Sequence, residues 1–535
     1  MLADSLEKAV DFLADRQLER HLARLNRGIE KESLRVAPEG TLALTPHPHA
    51  LGSALTHPSI TTDYSESLLE FVTGIHTDIS GLLRELHDIH HFAYRHIGDE
   101  KLWVNSMPCI VESEEKIPIA RYGTSNIARM KEAYREGLHH RYGSLMQTIA
   151  GIHYNFSLPD EFWDEFAGHA RLGDVRACKS TRYFGLIRNY HRLSWIATYL
   201  FGASPAVCQT FLQNREHSLK PLSHHTFYGP YATSLRLSNL GYSNEAQTDI
   251  CIDYNGVEQF VRSLRHAIQT SHPPYEKIGI KVDGHYRQLN SNLLQIENEF
   301  YASIRPKRVA KSGQSPSRAL CLEGVEYVEI RSIDLNPFEP VGIDEDCIRF
   351  YDMLLLTCLL LDSPQMNDDE FQRTGANQQT IVMNGRNPDA EIIAPDGTVN
   401  ARDRMRELLS SLLPISELLD SIDGGRNYRS SLESQQAKVD DPALTPSGRI
   451  VAKIIGEHNS FFEFAMNLAE DTEKHFKDKP IDPETSRTFQ HMSEESHLNK
   501  KEIEHSDSTS FDEFLIDYFN NQNAPLPNCG CGHQT

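Results

Sequence analysis

The chain has 535 residues, and its 53 basic against 75 acidic side chains give a formal net charge of −22. This balance disfavours binding to nucleic acid or to an anionic membrane, since both require a basic surface. A hydrophobic content of 39% indicates a folded globular protein. Its length predicts either one large domain with helical additions or two to three sub-domains.

The first predicted element is a helix over about 1–25, with acids where a secretory signal would need a basic start and an apolar core. The longest apolar stretch, at 353–361, is too short to cross a bilayer. Nine cysteines without disulfide-like density fit a reducing compartment. We therefore expect a soluble, cytoplasmic protein with mostly buried thiols and few or no structural disulfides.

Two glutamates separated by one residue lie in the first predicted strand. Residues two apart share a face of a strand, so Glu30 and Glu32 point the same way. Unit charges about 4 Å apart repel by roughly 4 kcal/mol at an effective dielectric of about 20, so a partly buried pair needs a cation beside it. For one such pair alone, a solvated strand face is the alternative.

The same alternation recurs in two later strands. It places His153 and Asn155 on one face of a strand near 149–158, and Glu329 and Arg331 on one face of a strand near 325–334. Polar faces on three strands predict a site on the sheet. For His153 alone, a satisfied core histidine is the alternative.

Helical patterns and strands alternate along the first two thirds of the chain, and the rest is mostly helical. The spacing predicts helices over 78–97, 126–141, 181–201, 344–361, 401–419 and 447–469, and a further strand signal near 278–297. This order favours an α+β fold with an antiparallel or mixed sheet and helices packed outside it.

Standard nucleotide loops and hydrolase motifs are absent from the sequence. It contains no Walker A run, no Gly-x-Gly-x-x-Gly opening a βαβ unit, no His-Glu-x-x-His and no Gly-x-Ser-x-Gly. Carboxylates, one histidine and several arginines on strands remain. Hard carboxylate oxygens suit Mg²⁺, and a cluster of them suits several Mg²⁺ ions around a triphosphate.

Many uncommon strings occur in the order found in one enzyme family. They include RGIEKE at 27–32, ALGSALTH at 50–57, YGTSN at 122–126, GIHYNF at 151–156, YATSLR at 231–236, QIENE at 295–299 and IRPKR at 304–308. Over about 20–365 the chain resembles the proteobacterial type of glutamate–cysteine ligase. Residues 365–445 and those after about 515 follow the family pattern poorly. Where the family usually has Thr-Asp-Phe, this chain has Tyr64, whose added hydroxyl raises the question of how the amine substrate sits.

The resemblance implies a reaction and a fold. ATP would phosphorylate the γ-carboxylate of L-glutamate, and the amine of L-cysteine would displace phosphate, which is the first step of glutathione biosynthesis. The fold would be glutamine-synthetase-like, with a curved antiparallel sheet forming a bowl around the site. We expect one catalytic domain over 1–520, with the active-site sheet and helices over about 20–365, helical support over about 366–520 and a flexible tail over 521–535.

The resemblance also implies roles for individual residues. The metal positions, for Mg²⁺ or a substituting Mn²⁺, are Glu30, Glu32, Asp63, Glu70, His153 and Glu329. Catalytic positions are Arg331, Arg236 and His153, and arginine suits bidentate recognition of carboxylate or phosphate. Substrate positions are Tyr134, Arg135, Gln147, Asn155, Arg236, Tyr242 and Tyr301. Arg305, Lys307 and Arg308 form a basic cluster for the nucleotide, with a solvated charge run as the alternative.

Three functions remain open at this point. The leading one is the ligase, acting as a monomer on ATP, glutamate and cysteine. A second is a ligase of the same fold that joins glutamate to a different amine. The third is a catalytically silent metal-binding or redox-sensing protein built around the histidines and the tail thiols Cys529 and Cys531; an intact acidic constellation argues against it.

Overall fold

The computed structural model describes residues 2–108, 110–169, 173–213, 215–223, 225–241, 250–311, 314–395 and 397–526. The strands in these ranges are β1 Asn26–Val36, β2 Ile60–Thr62, β3 Leu68–Val72, β4 Lys101–Leu102, β5 Ile152–Ser157, β6 Ala206–Cys208, β7 Lys220–Ser223, β8 Thr226–Tyr228, β9 Lys281–Val282, β10 His285–Tyr286, β11 Ile304–Lys307, β12 Tyr327–Ile333, β13 Glu391–Ala394 and β14 Gly397–Asn400.

The helices in the same ranges are α1 Leu2–Asp15, α2 Ile79–His96, α3 Asn126–Tyr142, α4 Asp160–His169, α5 Val175–Phe201, α6 Gln209–Leu212, α7 Val257–Gln269, α8 Pro273–Glu276, α9 Pro316–Glu323, α10 Glu345–Leu360, α11 Asp368–Asn384, α12 Ala401–Ser411, α13 Leu413–Asp423, α14 Asn427–Asp440, α15 Pro446–Lys453, α16 Phe461–Lys477, α17 Pro483–Ser506 and α18 Phe511–Asn523. Side-chain caps fix the starts of several of them. Asp78, Ser125 and Asp344 accept backbone N–H groups at the first turns of α2, α3 and α10.

The main sheet is antiparallel, as the sequence predicted. Its strand order is β11-β12-β5-β1-β3-β2, with β4 paired to β1. β1 is central and pairs with β5 on one side and β3 on the other. Since directly paired residues point to the same side of a sheet, this register decides which side chains meet.

One face of the main sheet is apolar and lies under helices. Ile29, Tyr154 and Ile330 on this face are fully buried. Helix α2 packs on β1 and β3, α5 packs on β11 and β12, and α10 packs on α2 and α5. The opposite face is therefore the one available for a polar site.

Two helices predicted as continuous are each divided in two. The helix expected over 401–419 breaks at Leu412, where Pro414 in the first turn of α13 has no N–H to donate to the preceding turn. The helix expected over 447–469 passes through a π-helical turn, Ile454–His458, and then Asn459 with a φ of 51°. Ser460 caps the new helix α16 there. Apolar spacing continues across both breaks, so periodicity alone did not reveal them.

The strand signal near 278–297 was largely wrong. Only the two-residue strands β9 and β10 form in this described segment, joined by a turn in which Asp283 and Gly284 have φ values of 51° and 82°. The predicted tail also begins too early, because α18 continues to Asn523. Residues 527–535, with Cys529, Cys531 and His533, lie outside the described residues, so the expectation of a flexible end there stays a prediction.

The α+β class is confirmed. No helix in the described ranges is long and apolar enough to cross a membrane. Cys178, Cys208, Cys347 and Cys358 are buried free thiols. Cys321 is disulfide-bonded.

Candidate functional site

The polar face of the main sheet gathers carboxylates from three strands. Glu30 and Glu32 on β1 lie directly opposite His153 on β5 and Glu70 on β3. Glu329 on β12 lies opposite Asn155 of β5, two residues beyond His153. We call Glu30, Glu32, Glu70, His153 and Glu329 the acidic face. The alternation that placed Glu30 and Glu32, His153, and Glu329 on polar strand faces is confirmed. Glu70 had been indicated by the family resemblance alone.

His153 lies close to both glutamates of β1. His153 Nδ1 is 3.3 Å from Glu30 Oε2, and its Nε2 is 3.8 Å from Glu32 Oε1. Asn155 donates its side-chain N–H to Glu30 Oε1 at 2.9 Å. His153 is therefore a member of the site rather than an isolated core histidine.

Crowding of carboxylates shifts the pKa values of two members. Burial, and then the charge of Asp63, raise the pKa of Glu32 to about 8, although Arg236 and Arg331 oppose the shift. Burial and the charges of Asp63, Glu30 and Glu32 raise the pKa of Glu70 well above its ordinary value. Without further positive charge, the face disfavours full ionisation of its acids.

Cations compensate the charge of Glu329. Glu329 is almost fully buried, yet Lys307 and Arg331 hold its pKa below the ordinary value. Lys307 Nζ donates to Glu329 Oε1 at 3.1 Å, and Arg331 Nη1 donates to Oε2 at 3.3 Å. Arg331 Nη1 is also 3.3 Å from His153 Nδ1, so Arg331 connects the two ends of the acidic face.

The chemistry of the donor set fits a divalent cation. Ligand atoms of Glu30, Glu70 and His153 lie within 4.8 Å of one another. Glu32 is adjacent to them through its backbone pair with Glu70, and Asp63 follows β2 beside them. Carboxylate oxygens in this number suit Mg²⁺ or Mn²⁺, and the raised pKa of Glu70 is the condition that a cation would relieve.

Gly151 brings an arginine against the acidic face. Its backbone N–H donates to Glu32 Oε2 at 2.6 Å. A Cβ at this position would lie 2.0 Å from Arg236 Nη2, so no other residue fits without moving the guanidinium. Arg236 is 1% exposed, donates to the Arg331 carbonyl at 2.8 Å and is 3.7 Å from Asp334.

A cavity of about 140 Å³ opens beside the acidic face. We call it the inner cavity. The predicted residues on its wall are Glu32, Asp63, Tyr134, Arg135, Gln147, Tyr301, Arg305 and Arg331. Arg135 is held by a hydrogen bond from Nε to the Asp63 carbonyl at 2.6 Å and lies 4.7 Å from the ring of Tyr122. Tyr242 lies outside the described residues.

Sequence reasoning missed part of the inner cavity wall. Leu138, Tyr142, Met146, Asn298 and Glu299 also line it. Tyr142 donates its hydroxyl to Glu299 at 2.5 Å, and Arg141 pairs with the same carboxylate at 3.1 Å. The string at 295–299 was among the family strings, which was the available signal, but nothing in it indicated that it meets the end of α3.

The predicted basic cluster is divided between different partners. Arg305 and Lys307 lie on β11, with Arg305 opposite Glu329, so both share the side of the acidic face. Arg308 instead pairs with Glu323 at 3.1 Å and Glu326 at 3.7 Å. All three line a second cavity of about 320 Å³ with the rings of Phe260 and Phe300. A third cavity, of about 310 Å³, contains Glu30 and Asn155.

Comparison with known proteins gives one consistent family. A family model described as glutamate-cysteine ligase matches residues 10–381. A protein of Alcanivorax borkumensis named glutamate–cysteine ligase is 49% identical over 523 residues, covering 96% of this chain and 99% of the relative. A Pseudomonas putida protein of the same name is 46% identical over 492 residues, covering 92% and 94%. The similarity therefore extends beyond about residue 365, the limit of the resemblance seen in the sequence.

Solved structures agree with the sequence relatives. The crystal structure of glutamate–cysteine ligase from Francisella tularensis in complex with AMP has a TM-score of 0.88 at 35% identity, covering 93% of this chain and 98% of that chain. A bifunctional glutathione synthetase from Pasteurella multocida has a TM-score of 0.70 at 25% identity, covering 87% of this chain and 54% of that chain.

Proposed function

The chain belongs to the glutamate–cysteine ligase family, and we propose that the acidic face of its main sheet is where ATP and glutamate react. The enzyme joins the γ-carboxylate of glutamate to the amine of cysteine with conversion of ATP to ADP, the first step of glutathione biosynthesis. The observation that supports this site is the convergence of carboxylates from β1, β3 and β12 with Arg331 and Lys307 on one buried face.

The reaction needs an activated carboxylate, because a carboxylate itself is a poor electrophile. An oxygen of the γ-carboxylate attacks the γ-phosphorus of ATP, the bond to the β-phosphate oxygen breaks, and ADP leaves. The amine of cysteine then attacks the acyl carbon, loses a proton and expels inorganic phosphate. Catalysis rests on positioning and on compensation of negative charge.

The metal site would be held by the residues that the sequence indicated: Glu30, Glu32, Asp63, Glu70, His153 and Glu329. The donor set suits Mg²⁺, with Mn²⁺ as a substitute. Bound ions would neutralise charge on the transferring phosphoryl group. Asn155 and Arg331 orient Glu30, His153 and Glu329 through the hydrogen bonds described above.

Arg331 is placed to stabilise the transferring phosphoryl group, since it lies between Glu329 and His153 and also lines the inner cavity. Arg236 lies beside Glu32 and Tyr301: burial raises the pKa values of both groups, and the charge of Arg236 opposes the shift. We assign Arg236 to a substrate carboxylate. His153 holds Glu30 in place and completes the ligand set.

The inner cavity takes the amine substrate. Arg135 and Gln147 supply charged and polar groups on its wall, and Tyr134 and Tyr301 supply aromatic surface. Tyr242 is assigned here by resemblance alone. A volume of about 140 Å³ fits a small amino acid rather than a large one.

The nucleotide lies along β11. Lys307 contacts Glu329 on the acidic face and also lines the 320 Å³ cavity with Arg305 and Arg308. The 310 Å³ cavity shares Val309 and Tyr327 with the 320 Å³ cavity and reaches Glu30. The phosphates would extend from these cavities to the acidic face. The AMP complex of the Francisella tularensis relative supports a nucleotide site in this fold.

The proposal includes the curvature of the main sheet, the cellular location and the oligomeric state. The main sheet would curve as a glutamine-synthetase-like bowl around the acidic face, and the protein would act as a cytoplasmic monomer. Helices α2 and α5 pack on the sheet, and Ile29, Tyr154 and Ile330 on its apolar face are fully buried; both observations support an open polar face.

Substitution of Glu329 tests the site. Glu329→Gln keeps the size of the side chain but removes the charge that pairs with Lys307 and Arg331, so we expect ADP release to fall by about 10²-fold or more. The matched control is Glu391→Gln, an exposed glutamate on β13, which should keep wild-type turnover. Wild-type ADP release by Glu329→Gln, with an unchanged Mg²⁺ requirement, would contradict the assignment.

A further inference from the structure

Tyr122 lies behind the point where Asp63 follows β2. Its side chain is 1% exposed, and it is not among the residues that line the inner cavity. Its hydroxyl lies 2.8 Å from the Thr62 carbonyl and 3.0 Å from the Asp63 carbonyl. The same hydroxyl accepts a hydrogen bond from Thr62 Oγ1 at 3.1 Å. One buried hydroxyl therefore holds the last residue of β2 and the residue that follows it.

Asp63 is close to the carboxylates proposed for the metal. Its N–H donates to the Leu68 carbonyl at 3.0 Å, which extends the contact between β2 and β3. After burial, the charge of Asp63 is the next cause that raises the pKa values of Glu32 and Glu70. The Asp63 carboxylate thus belongs to the same crowded group of acids. The position of its backbone decides how well it can share a cation with them.

The ring of Tyr122 has a second set of contacts, with helix α3. The Arg135 guanidinium lies 4.7 Å from the centre of the ring, and Lys131 Nζ lies 4.9 Å from it. Cations at this distance from an aromatic ring are attracted to it. Arg135 also donates from Nε to the Asp63 carbonyl at 2.6 Å and from Nη1 to the Lys131 carbonyl at 3.0 Å. The ring therefore holds an arginine of the inner cavity wall, while the hydroxyl holds the backbone of Asp63.

We propose that Tyr122 is a positioning residue with two separable roles: its hydroxyl positions Asp63 for the metal, and its ring positions Arg135 for the amine substrate. The proposal rests on the assignment of Asp63 to the metal site and of the inner cavity to the amine substrate. Tyr122 acts through these two residues, since it does not line the inner cavity itself. Because the two contacts use different parts of one side chain, substitution can remove one and keep the other.

Tyr122→Phe removes the hydroxyl and keeps the ring. We expect the dissociation constant for Mn²⁺, measured without substrates from the EPR signal of the free ion, to rise by roughly tenfold, because loss of a group that orients a metal ligand weakens binding. Glu70→Gln, which lacks a ligand, identifies the Mn²⁺ sites that belong to the acidic face. KM for cysteine, measured by ADP release at saturating Mg-ATP and glutamate, should stay within about twofold of the wild-type value, because Arg135 keeps the ring.

Tyr122→Leu removes the hydroxyl and the ring together. It should weaken Mn²⁺ binding as Tyr122→Phe does, and it should also raise KM for cysteine by roughly fivefold, since the contact between the ring and Arg135 is lost. The matched control is Tyr199→Phe, which removes a buried hydroxyl that donates to the Lys438 carbonyl at 3.3 Å between α5 and α14. This control should keep the wild-type values of both the Mn²⁺ dissociation constant and KM for cysteine.

The outcomes separate positioning from a merely structural role. A structural role would lower the melting temperature of Tyr122→Phe without changing its Mn²⁺ dissociation constant, and that result would overturn the proposal. An equal rise of KM for cysteine in Tyr122→Phe and Tyr122→Leu would overturn the separate role of the ring. Cysteine-dependent ADP release by the wild type is measured beside them. Its absence would contradict the proposed function, whereas the Mn²⁺ comparison would still decide the role of the hydroxyl.

Discussion

Carboxylates that face one another across antiparallel strands repel, and Glu32 and Glu70 are such a pair. The pKa of each is raised, by burial and then by neighbouring carboxylates. In the absence of a cation, the acidic face therefore opposes folding of the strands that carry it. A divalent ion that binds there should stabilise the protein as well as serve the reaction, because it binds the folded state alone.

Glu70→Gln tests this reading of the acidic face. Mg²⁺ should raise the melting temperature of the wild type, and the increase should be much smaller in the variant, which lacks one ligand and one repelling charge. Differential scanning fluorimetry with and without Mg²⁺ measures the increase in melting temperature for the wild type and for Glu70→Gln, with Glu391→Gln as the control. Equal Mg²⁺-dependent increases in the wild type and Glu70→Gln would contradict a metal role for Glu70.

A second residue-scale prediction concerns pH. His57 is 6% exposed, and its Nδ1 accepts backbone N–H groups of Ser59 and Ile60 at 3.0 and 2.9 Å. Burial, and then the charge of His497, lower the pKa of His57 to about 4. The unfolded state thus binds the proton more readily than the folded state. The contribution of neutral His57 to the free energy of unfolding is therefore complete above about pH 6.5 and is lost as the pH falls toward 4.

His57→Asn should remove this pH dependence while its side-chain oxygen still accepts the backbone N–H groups. Between pH 6.5 and 4.5 the free energy of unfolding of the wild type should fall relative to the variant by up to about 1.4 kcal/mol per pH unit. Urea unfolding at several pH values measures it, with the exposed His285→Asn as control. Parallel pH profiles for the wild type and His57→Asn would refute the assignment.

At the scale of elements, one buried ion pair joins the sheet to the helical half. Arg27 on β1 and Asp352 on α10 are 4% and 0% exposed and meet at 2.7 Å. Tyr154 on β5 donates to the same carboxylate at 2.7 Å, and Tyr428 on α14 at 3.1 Å. This network fixes β1, which carries Glu30 and Glu32, against α10 and α14.

Asp352→Asn should therefore destabilise the protein strongly. It leaves the Arg27 charge buried without a counter-charge, at a cost of about 3–5 kcal/mol. The control is Glu161→Gln, which removes an exposed ion pair with Arg24 and should change stability by less than about 0.5 kcal/mol. Urea unfolding compares them. Similar losses in both variants would mean that the buried network does not hold β1.

Elements with a clear period and a cap were predictable from the sequence. Helices α2 and α10 end within one or two residues of the predicted bounds. Glu30, Glu32, His153 and Glu329 followed from alternation because β1, β5 and the part of β12 up to Ile330 keep a period of two. The breaks at Leu412 and Asn459 were not predictable from apolar spacing, which continues through them. Asp63 and Glu70 were predicted only through the family resemblance, because the strands β2 and β3 are too short to show a clear alternation of polar and apolar residues.

At the scale of the whole molecule, the end of the described chain lies against helix α3. Asp507 accepts the Asn126 N–H at 2.5 Å, and Phe511 on α18 lies 4.3 Å from the guanidinium of Arg129 on α3. Leu515 packs with Phe511 against Met130, and Tyr134 contacts this cluster. Helix α18 thus supports the side of α3 that carries Tyr134 and Arg135.

Truncation separates this support from the tail. A chain ending at residue 506 should show KM for cysteine raised by roughly tenfold, because α3 loses the contacts that position Tyr134 and Arg135. A chain ending at residue 526 keeps α18 and should behave as the full chain. Steady-state kinetics with cysteine varied compares them. An unchanged KM for cysteine in the shorter chain would show that α18 does not position the amine site.

The division of the chain was only partly predictable. One hydrophobic cluster includes residues from Leu6 to Phe489. The single catalytic domain over 1–520 stays a prediction. Sequence patterns fade after 365, yet the relatives match 92–96% of the chain. The helices after residue 365 pack through apolar contacts that many different hydrophobic residues can make. Their sequences therefore contain few strings that are specific to the family.

The central claim is that this chain activates glutamate by phosphorylation before the amine attacks. The most direct measurement uses glutamate labelled with ¹⁸O in its γ-carboxylate, with Mg-ATP and cysteine, and mass analysis of the phosphate and the peptide product. An acyl phosphate transfers one carboxylate oxygen to phosphorus, so the account predicts one ¹⁸O in each phosphate released with γ-glutamylcysteine. Phosphate without ¹⁸O, released at the same rate as the product, would contradict it.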